Sequence, residues 1–414
     1  MRKQQQALIV SIVLVILLIG LAVGMTWANY QYAQSSPGGN DFLVYWMTSR
    51  NIFEEGLSPY SEESRVRVQE YAYGRPAEAG EHEMGMAYPL YSVALFAPFT
   101  LTKNFALARA LWMTVLEAAL IGLALLSPRF MRWKPAPWMM ALLIIFSLLW
   151  YFGLRALING NAVILVALCL AGGLLAMRDG HDELAGVLFA FSTIKPQVVV
   201  VVLAWIVIWG FTQRRWRMVG WMIGTVALLS GSAMLIMPDW ILQNLGEVLR
   251  YPAYNPPGNP AAVFAEWWPK FGARLGWALS AVVGLVMLAE WWVNRKRDMR
   301  AFLWTTALTL VISPWIGIQT DPGNLIVLFL PLVVVFALLA ERSPRGLAVI
   351  LPIVLLILMI GLWVLFLNTI EYNGQPQQSS ILFFPLPTLL LILLYWVRYW
   401  AVKPLKFWSE QVDI

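Results

Sequence analysis

Residues 7–27 read ALIVSIVLVILLIGLAVGMTW, an uncharged and mostly aliphatic stretch between Arg2-Lys3 and Ala28-Asn29-Tyr30. As a helix it rises about 30 Å, the depth of a bilayer's hydrocarbon core. No clear small-x-small cleavage pattern follows, so the run is expected to stay in place as a signal anchor with its amino end in the cytoplasm. The rest of the chain repeats the theme. Of 414 residues, 60% are hydrophobic and only 13% charged, with a mean hydropathy of +0.67, against about 25% charged in ordinary globular domains. The sequence is that of an all-α polytopic membrane protein.

Composition also excludes some chemistry. The net charge of +6 is what Lys and Arg held in cytoplasmic loops produce, so no nucleic-acid partner is expected. Cys169 is the single cysteine and lies in an apolar run, which rules out disulfides within the chain and a cysteine metal site. His82 and His181 are the only histidines and are far apart. A histidine-rich metal centre is not expected, and neither is a cofactor.

Basic clusters at Arg2-Lys3, 129–134, Arg178, 214–217, 295–300, 342–345 and 403–406 orient the remaining runs. If all face the cytoplasm, an even number of crossings separates successive clusters. Twelve spans satisfy this: 8–28, 105–126, 138–155, 161–177, 184–194, 196–211, 218–237, 271–293, 301–314, 324–340, 347–367 and 381–402. The apolar piece 88–101 is too short to cross and is expected to be re-entrant or interfacial. The run 184–211 must break at Lys195-Pro196, because proline lacks the N–H that a continuing helix needs. The run 301–340 breaks in the same way at Ser313-Pro314 and Asp321-Pro322-Gly323. Broken spans are tolerated where backbone lines a polar cavity, so they point to a site. The whole chain, 1–414, is expected to form one membrane domain, with extracytoplasmic loops at 29–87 and 238–270.

Nearly every unusual residue then falls on the outer side. Asp41, in Asp41-Phe42-Leu43-Val44-Tyr45-Trp46, is suited to take a proton from an attacking hydroxyl; it is equally suited to cap a short helix over 42–53. Lys195 and Arg155 break the positive-inside pattern and can hold a phosphate, although basic residues near a span end also snorkel to headgroups. Asn159-Gly160-Asn161 reads as a tight polar turn that also offers two amides. Gln319 and Asp321 are candidates for sugar hydroxyls, and Tyr45 and Tyr88 complete the expected substrate-binding set. His82, among Glu78, Glu81 and Glu83, reads as a solvated histidine. Glu117 needs a partner within the membrane, and Arg109 is the only nearby candidate in sequence. Trp46, Trp267 and Trp268 can stack on sugar or lipid.

The order of these pieces resembles glycosyltransferase family 87 of the GT-C superfamily. The resemblance rests on Gly39-Asn40-Asp41 after the first span, Gly56-Leu57-Ser58-Pro59-Tyr60, Tyr88-Pro89-Leu90, Gly160-Asn161, Lys195-Pro196, Arg214-Arg215-Trp216-Arg217 and Ser313-Pro314 with Asp321. It implies a GT-C-type bundle of about 12 transmembrane helices with a helical first loop. It further implies transfer of a sugar, mannose or another hexose, from a polyprenyl-phosphate-sugar donor to a lipid or glycan acceptor. The active site would lie on the extracytoplasmic face of the cell membrane, with Asp41 as the base of an inverting reaction. The chain departs from the family where Gly160-Asn161-Ala162-Val163 stands for Gly-Gln-x-Asn, and where Trp315 rather than histidine follows Ser313-Pro314. A transporter or lipid flippase would also show broken helices and intramembrane charges, but no repeat symmetry between halves is visible. A non-catalytic scaffold that kept the fold is the other alternative.

Overall fold

The computed structural model describes residues 2–36, 38–78, 81–254, 258–317, 321–372 and 376–402. Among these the protein is helical apart from an antiparallel pairing of Glu371–Tyr372 with Pro376–Gln377. Among the described residues, eight helices are long and apolar enough to cross a membrane, or nine when Pro137–Leu149 and Tyr151–Asn159, bent by 49°, are counted as one span. The twelve crossings inferred from charge parity included 161–177, 184–194 and 196–211. These correspond to helices of 16, 11 and 17 residues, Val163–Arg178, Asp182–Ser192 and Pro196–Thr212.

Two segments form the centre of the bundle. In Met299–Ile316 83% of the residues are buried, and in the most apolar eighteen residues of Pro322–Arg342 94% are, so both are enclosed by protein on nearly every face. They are joined through short 3-10 turns, Ser313–Ile316 and Pro322–Leu328, at the breaks marked by proline. Around them, buried indoles are tied by threonines: Trp205 donates to Thr306 at 3.1 Å and Trp291 to Thr309 at 2.8 Å. Gly272–Asn294 and Pro385–Ala401 are held together by a two-point ion pair, Arg398 Nε and Nη2 to Glu290 at 2.9 and 3.0 Å. A fork-to-carboxylate pair of this kind fixes orientation as well as distance.

The basic loops gather at one end. Arg178 donates to the Arg129 carbonyl, Arg215 to the Met177 carbonyl at 2.6 Å, Gln213 to the Arg297 carbonyl at 3.0 Å, and Arg300 pairs with Glu341 at 2.6 Å. Val163–Arg178 and Pro196–Thr212 lead away from that end for about 25 Å at 1.5 Å per residue, and at their far ends stand Asn161 and Lys195.

The segment from Leu90 to Leu101 is a succession of short turns, Leu90–Ser92, Val93–Phe96 and Ala97–Leu101. Tyr91, near its start, donates to the Thr193 carbonyl at 2.9 Å, while Asn104, just past its finish, meets the Tyr30 hydroxyl at 3.4 Å. Both ends therefore lie at the Lys195 end of the bundle, and the segment does not cross. It packs instead against the first-loop helix Asn40–Glu55, through Phe96 and Phe99 against Phe42.

One expected pairing is replaced. Glu117 is met by the Asn29 amide at 3.0 Å, with Thr114 at 3.1 Å from the same nitrogen. Arg109, predicted as its partner, turns the other way and donates to the backbone carbonyls of Ser36 at 2.9 Å and Ile158 at 3.3 Å. The first helix supplies the partner because it runs beside Phe105–Phe130, a proximity that spacing along one helix does not reveal.

Candidate active site

Asp41 stands in the first turn of Asn40–Glu55. The N-cap position is taken by Gly39, in the left-handed conformation, and no side chain caps the turn; the capping role open to Asp41 from sequence is not the one it takes. Its carboxylate accepts a hydrogen bond from Asn159 and lies within electrostatic reach of Asp321, Lys195 and Arg155. Burial raises its pKa most, the charge of Asp321 raises it further, and the two cations and the Asn159 bond oppose them; the outcome is a carboxyl pushed up to about 6.

Why Asp41 reaches this place is a matter of packing. Phe42, fully buried, sits in an aromatic nest of Phe96, Phe99, Phe105 and Trp112, with the Trp112 ring stacked at 5.6 Å. Gly160 lies directly beneath: its φ is +72°, and a Cβ there would come within 2.5 Å of the Phe42 Cβ. The Trp112 indole donates to the Gly160 carbonyl at 2.8 Å. The Asn159-Gly160-Asn161 turn and the loop helix are thus fitted to each other, which brings Asn159 to Asp41.

On the other side of that turn, the Asn161 carbonyl oxygen accepts three bonds, from Lys195 Nζ at 2.9 Å, Tyr88 Oη at 3.3 Å and the Val163 N–H at 3.0 Å. Asn161 was expected to bind substrate; its carbonyl is already engaged, and only its amide nitrogen is without a partner. Lys195 is 4% exposed and lies over the Tyr88 ring at 5.2 Å, a cation–π contact. Tyr88 stacks on Tyr45 at 4.2 Å, and Tyr45 on Phe96 at 4.9 Å. Burial lifts both phenols well above their usual value, and Asp41's charge adds to it, so at neutral pH they are hydroxyl donors. The Tyr88 backbone is pinned by Tyr60 at 2.8 Å and Asn244 at 3.0 Å, both donating to its carbonyl.

Arg155 and Asp321 close the cluster, with Nε 3.9 Å from Oδ1. Asp321 also accepts from the Gly323 N–H at 2.5 Å and caps the Pro322–Leu328 turn, so the turn role and the electrostatic one coexist. The structure thus brings Asp41, Tyr45, Tyr88, Arg155, Asn159, Asn161, Lys195 and Asp321 to one end of the bundle; Gln319 lies outside the described residues.

Several polar groups in this region escaped the sequence reading. Asn324, 1% exposed, has both amide atoms unpartnered, and so has the hydroxyl of Tyr151, which lies within electrostatic reach of Arg155 and Asp321. A buried polar group left unpaired costs about 1–3 kcal/mol, which marks both as places for a ligand or water to satisfy. An amide at the head of the apolar run 325–340 was the available signal. His82 is not simply solvated. It is half-buried, its Nδ1 accepts from the Met84 N–H at 3.0 Å, and its ring meets Tyr251 at 6.2 Å. Burial lowers its pKa, against the charges of Asp321 and Glu83. Trp46 is buried, with its indole donating to the Phe99 carbonyl at 3.0 Å, and so offers no sugar platform; Trp267 and Trp268 remain partly exposed. Among the described residues, no group of three His, Cys, Asp or Glu is placed to hold a metal ion.

Broken central helices, basic loops at one end and a semi-buried cluster of two acids and two cations at the other define a polytopic membrane protein with a chemical site near one end of its bundle. Residues 87–314 match the family model of glycosyltransferase family 87, more than half of the chain, and the chain belongs to that family: it is a membrane glycosyltransferase. No curated protein matches it. The matched range includes Tyr88, Arg155, Asn159, Asn161 and Lys195 and stops short of Asp41 and Asp321.

Proposed function

We propose that the protein moves a hexose, mannose or a near relative, from a polyprenyl-phosphate-sugar donor to a lipid or glycan acceptor at the outer face of the cell membrane. Asp41 is the base. An acceptor hydroxyl attacks the anomeric carbon as its proton passes to the Asp41 carboxylate; the bond from that carbon to the phosphate oxygen breaks, and polyprenyl phosphate leaves with the electron pair. Attack opposite the leaving group inverts the anomeric centre. Lys195 spends one N–H on Asn161 and has others for the phosphate, with Arg155 as a second, planar donor set. Tyr45, Tyr88, Asn159 and Asp321 border the sugar.

The observation that carries this reading is that one carboxyl lies within electrostatic reach of two cations, Asp41 of Lys195 and Arg155, drawn from three distant parts of the chain. A carboxyl with a pKa of about 6 is ionised at neutral pH yet basic enough to accept a proton in a transition state. Purified protein in lipid, supplied with polyprenyl-phosphate-sugar and acceptor membranes, should transfer labelled sugar, and Asp41→Asn should lower the rate by about a hundredfold or more. Full activity in that variant would show that the base is another group.

A further inference from the structure

Helix Trp240–Tyr254 divides sharply into two faces. Gln243, Asn244, Glu247 and Arg250 recur at helical spacing on one face, and each is engaged by the first loop or its continuation. Ser58 donates to Gln243 at 2.6 Å, Asn244 donates to the Tyr88 carbonyl at 3.0 Å, Arg65 pairs with Glu247 at 2.9 Å and Arg250 with Glu83 at 2.6 Å. The Arg65–Glu247 pair is buried, and this face is turned toward the first loop, with Arg250 half-exposed at its edge. The opposite face carries Ile241, Leu242, Leu245, Val248 and Leu249, and all are exposed, Leu242 and Leu249 at 73% each.

We propose that this helix lies in the plane of the membrane surface, with its apolar face seated in lipid. The tether supports a lipid occupant. Only Met237 to Asp239 separate the helix from the span Trp216–Ile236, so its first residue lies within about 14 Å of the span's last at full extension. Leu235 and Ile236, the last residues of that span, are themselves exposed, so exposed apolar side chains stand on both sides of the short Met237-Pro238-Asp239 link. An in-plane helix needs a wide apolar face and a polar face directed elsewhere; here the polar face is directed at protein rather than water. Through Asn244 and Glu247, the lipid surface gains a rigid connection to Tyr88 and to the loop helix Glu62–Tyr73.

The test uses the full chain with Cys169 replaced by alanine, reconstituted in phosphatidylcholine–phosphatidylglycerol vesicles. Spin labels are placed at Leu242→Cys and Leu249→Cys, with Glu78→Cys, a 71% exposed side chain in the polar part of the first loop, as the aqueous reference. Labels at 242 and 249 should collide severalfold more with oxygen, and severalfold less with a water-soluble nickel chelate, than the label at 78. Equal access to the nickel chelate at all three positions would place the face in water and overturn the proposal. Exclusion of both reagents at 242 and 249 would show that protein, such as a second copy of the chain, covers the face, and would overturn it equally. Neither result depends on transfer activity.

Discussion

A carboxyl whose pKa is set by several neighbours can be moved in opposite directions by removing them, and Asp41 allows that at the scale of single residues. As the proposed base, Asp41 must be ionised to act, so transfer should rise with pH along a limb centred near 6 and level off above it. Lys195 stabilises the ionised form and Asp321 opposes it. Lys195→Met should therefore shift the limb to higher pH and Asp321→Asn to lower pH, whatever either does to the maximal rate. Measuring kcat/KM against pH for the three proteins checks this. A limb that stays in place in both variants would mean that the titrating group is not Asp41. Sequence drew attention to Asp41 through its position after a membrane exit, but its neighbours come from residues 155–195 and 321, and no local pattern announces such a meeting.

At the scale of elements, the fit between the loop helix Asn40–Glu55 and the 159–161 turn decides whether Asp41 reaches Asn159 at all. Gly160 carries that fit, and Gly74 supplies a control: its φ is +74°, close to the +72° of Gly160, but a Cβ there meets open space. Alanine at either position bears the same left-handed strain, about 1–2 kcal/mol. Only Gly160→Ala also drives a methyl into Phe42 and Trp112. Gly74→Ala should therefore keep most of its transfer activity and thermal stability, whereas Gly160→Ala should lose most of both; equal losses would reduce the Gly160 effect to backbone strain. The turn and both proline breaks were legible in the sequence, because glycine and proline act on their own backbone. The partner of Glu117 was not: Arg109 is nearer in sequence, yet Asn29, eighty-eight residues away, makes the bond. The same limit hid Asn324 and Tyr151, whose surroundings are assembled by tertiary packing.

For the whole molecule, the question is which end faces which compartment. The basic loops around residues 129, 178, 215, 297 and 341 touch one another at one end, as charge parity required, and the Asp41–Lys195 cluster stands about 25 Å away along helices that connect the two. Lys and Arg in short loops are retained on the cytoplasmic side, so the cluster should face outward, where a lipid-linked sugar would be consumed. In a background with Cys169 replaced by serine, a membrane-impermeant thiol reagent added to intact cells should label Glu78→Cys and leave Arg345→Cys unlabelled; both should react once the membrane is opened. Labelling of Arg345→Cys alone in intact cells would invert the molecule and place the donor in the cytoplasm. Labelling of both would break the link between the two ends, because residues 78 and 345 would then share a compartment although the bundle separates the loops that carry them. A crossing by the segment 88–101 would reverse the side of everything after it. Tyr91 bonded to Thr193 and Asn104 beside Tyr30 hold both of its ends on the side of Lys195, and the labelling pattern tests that geometry directly.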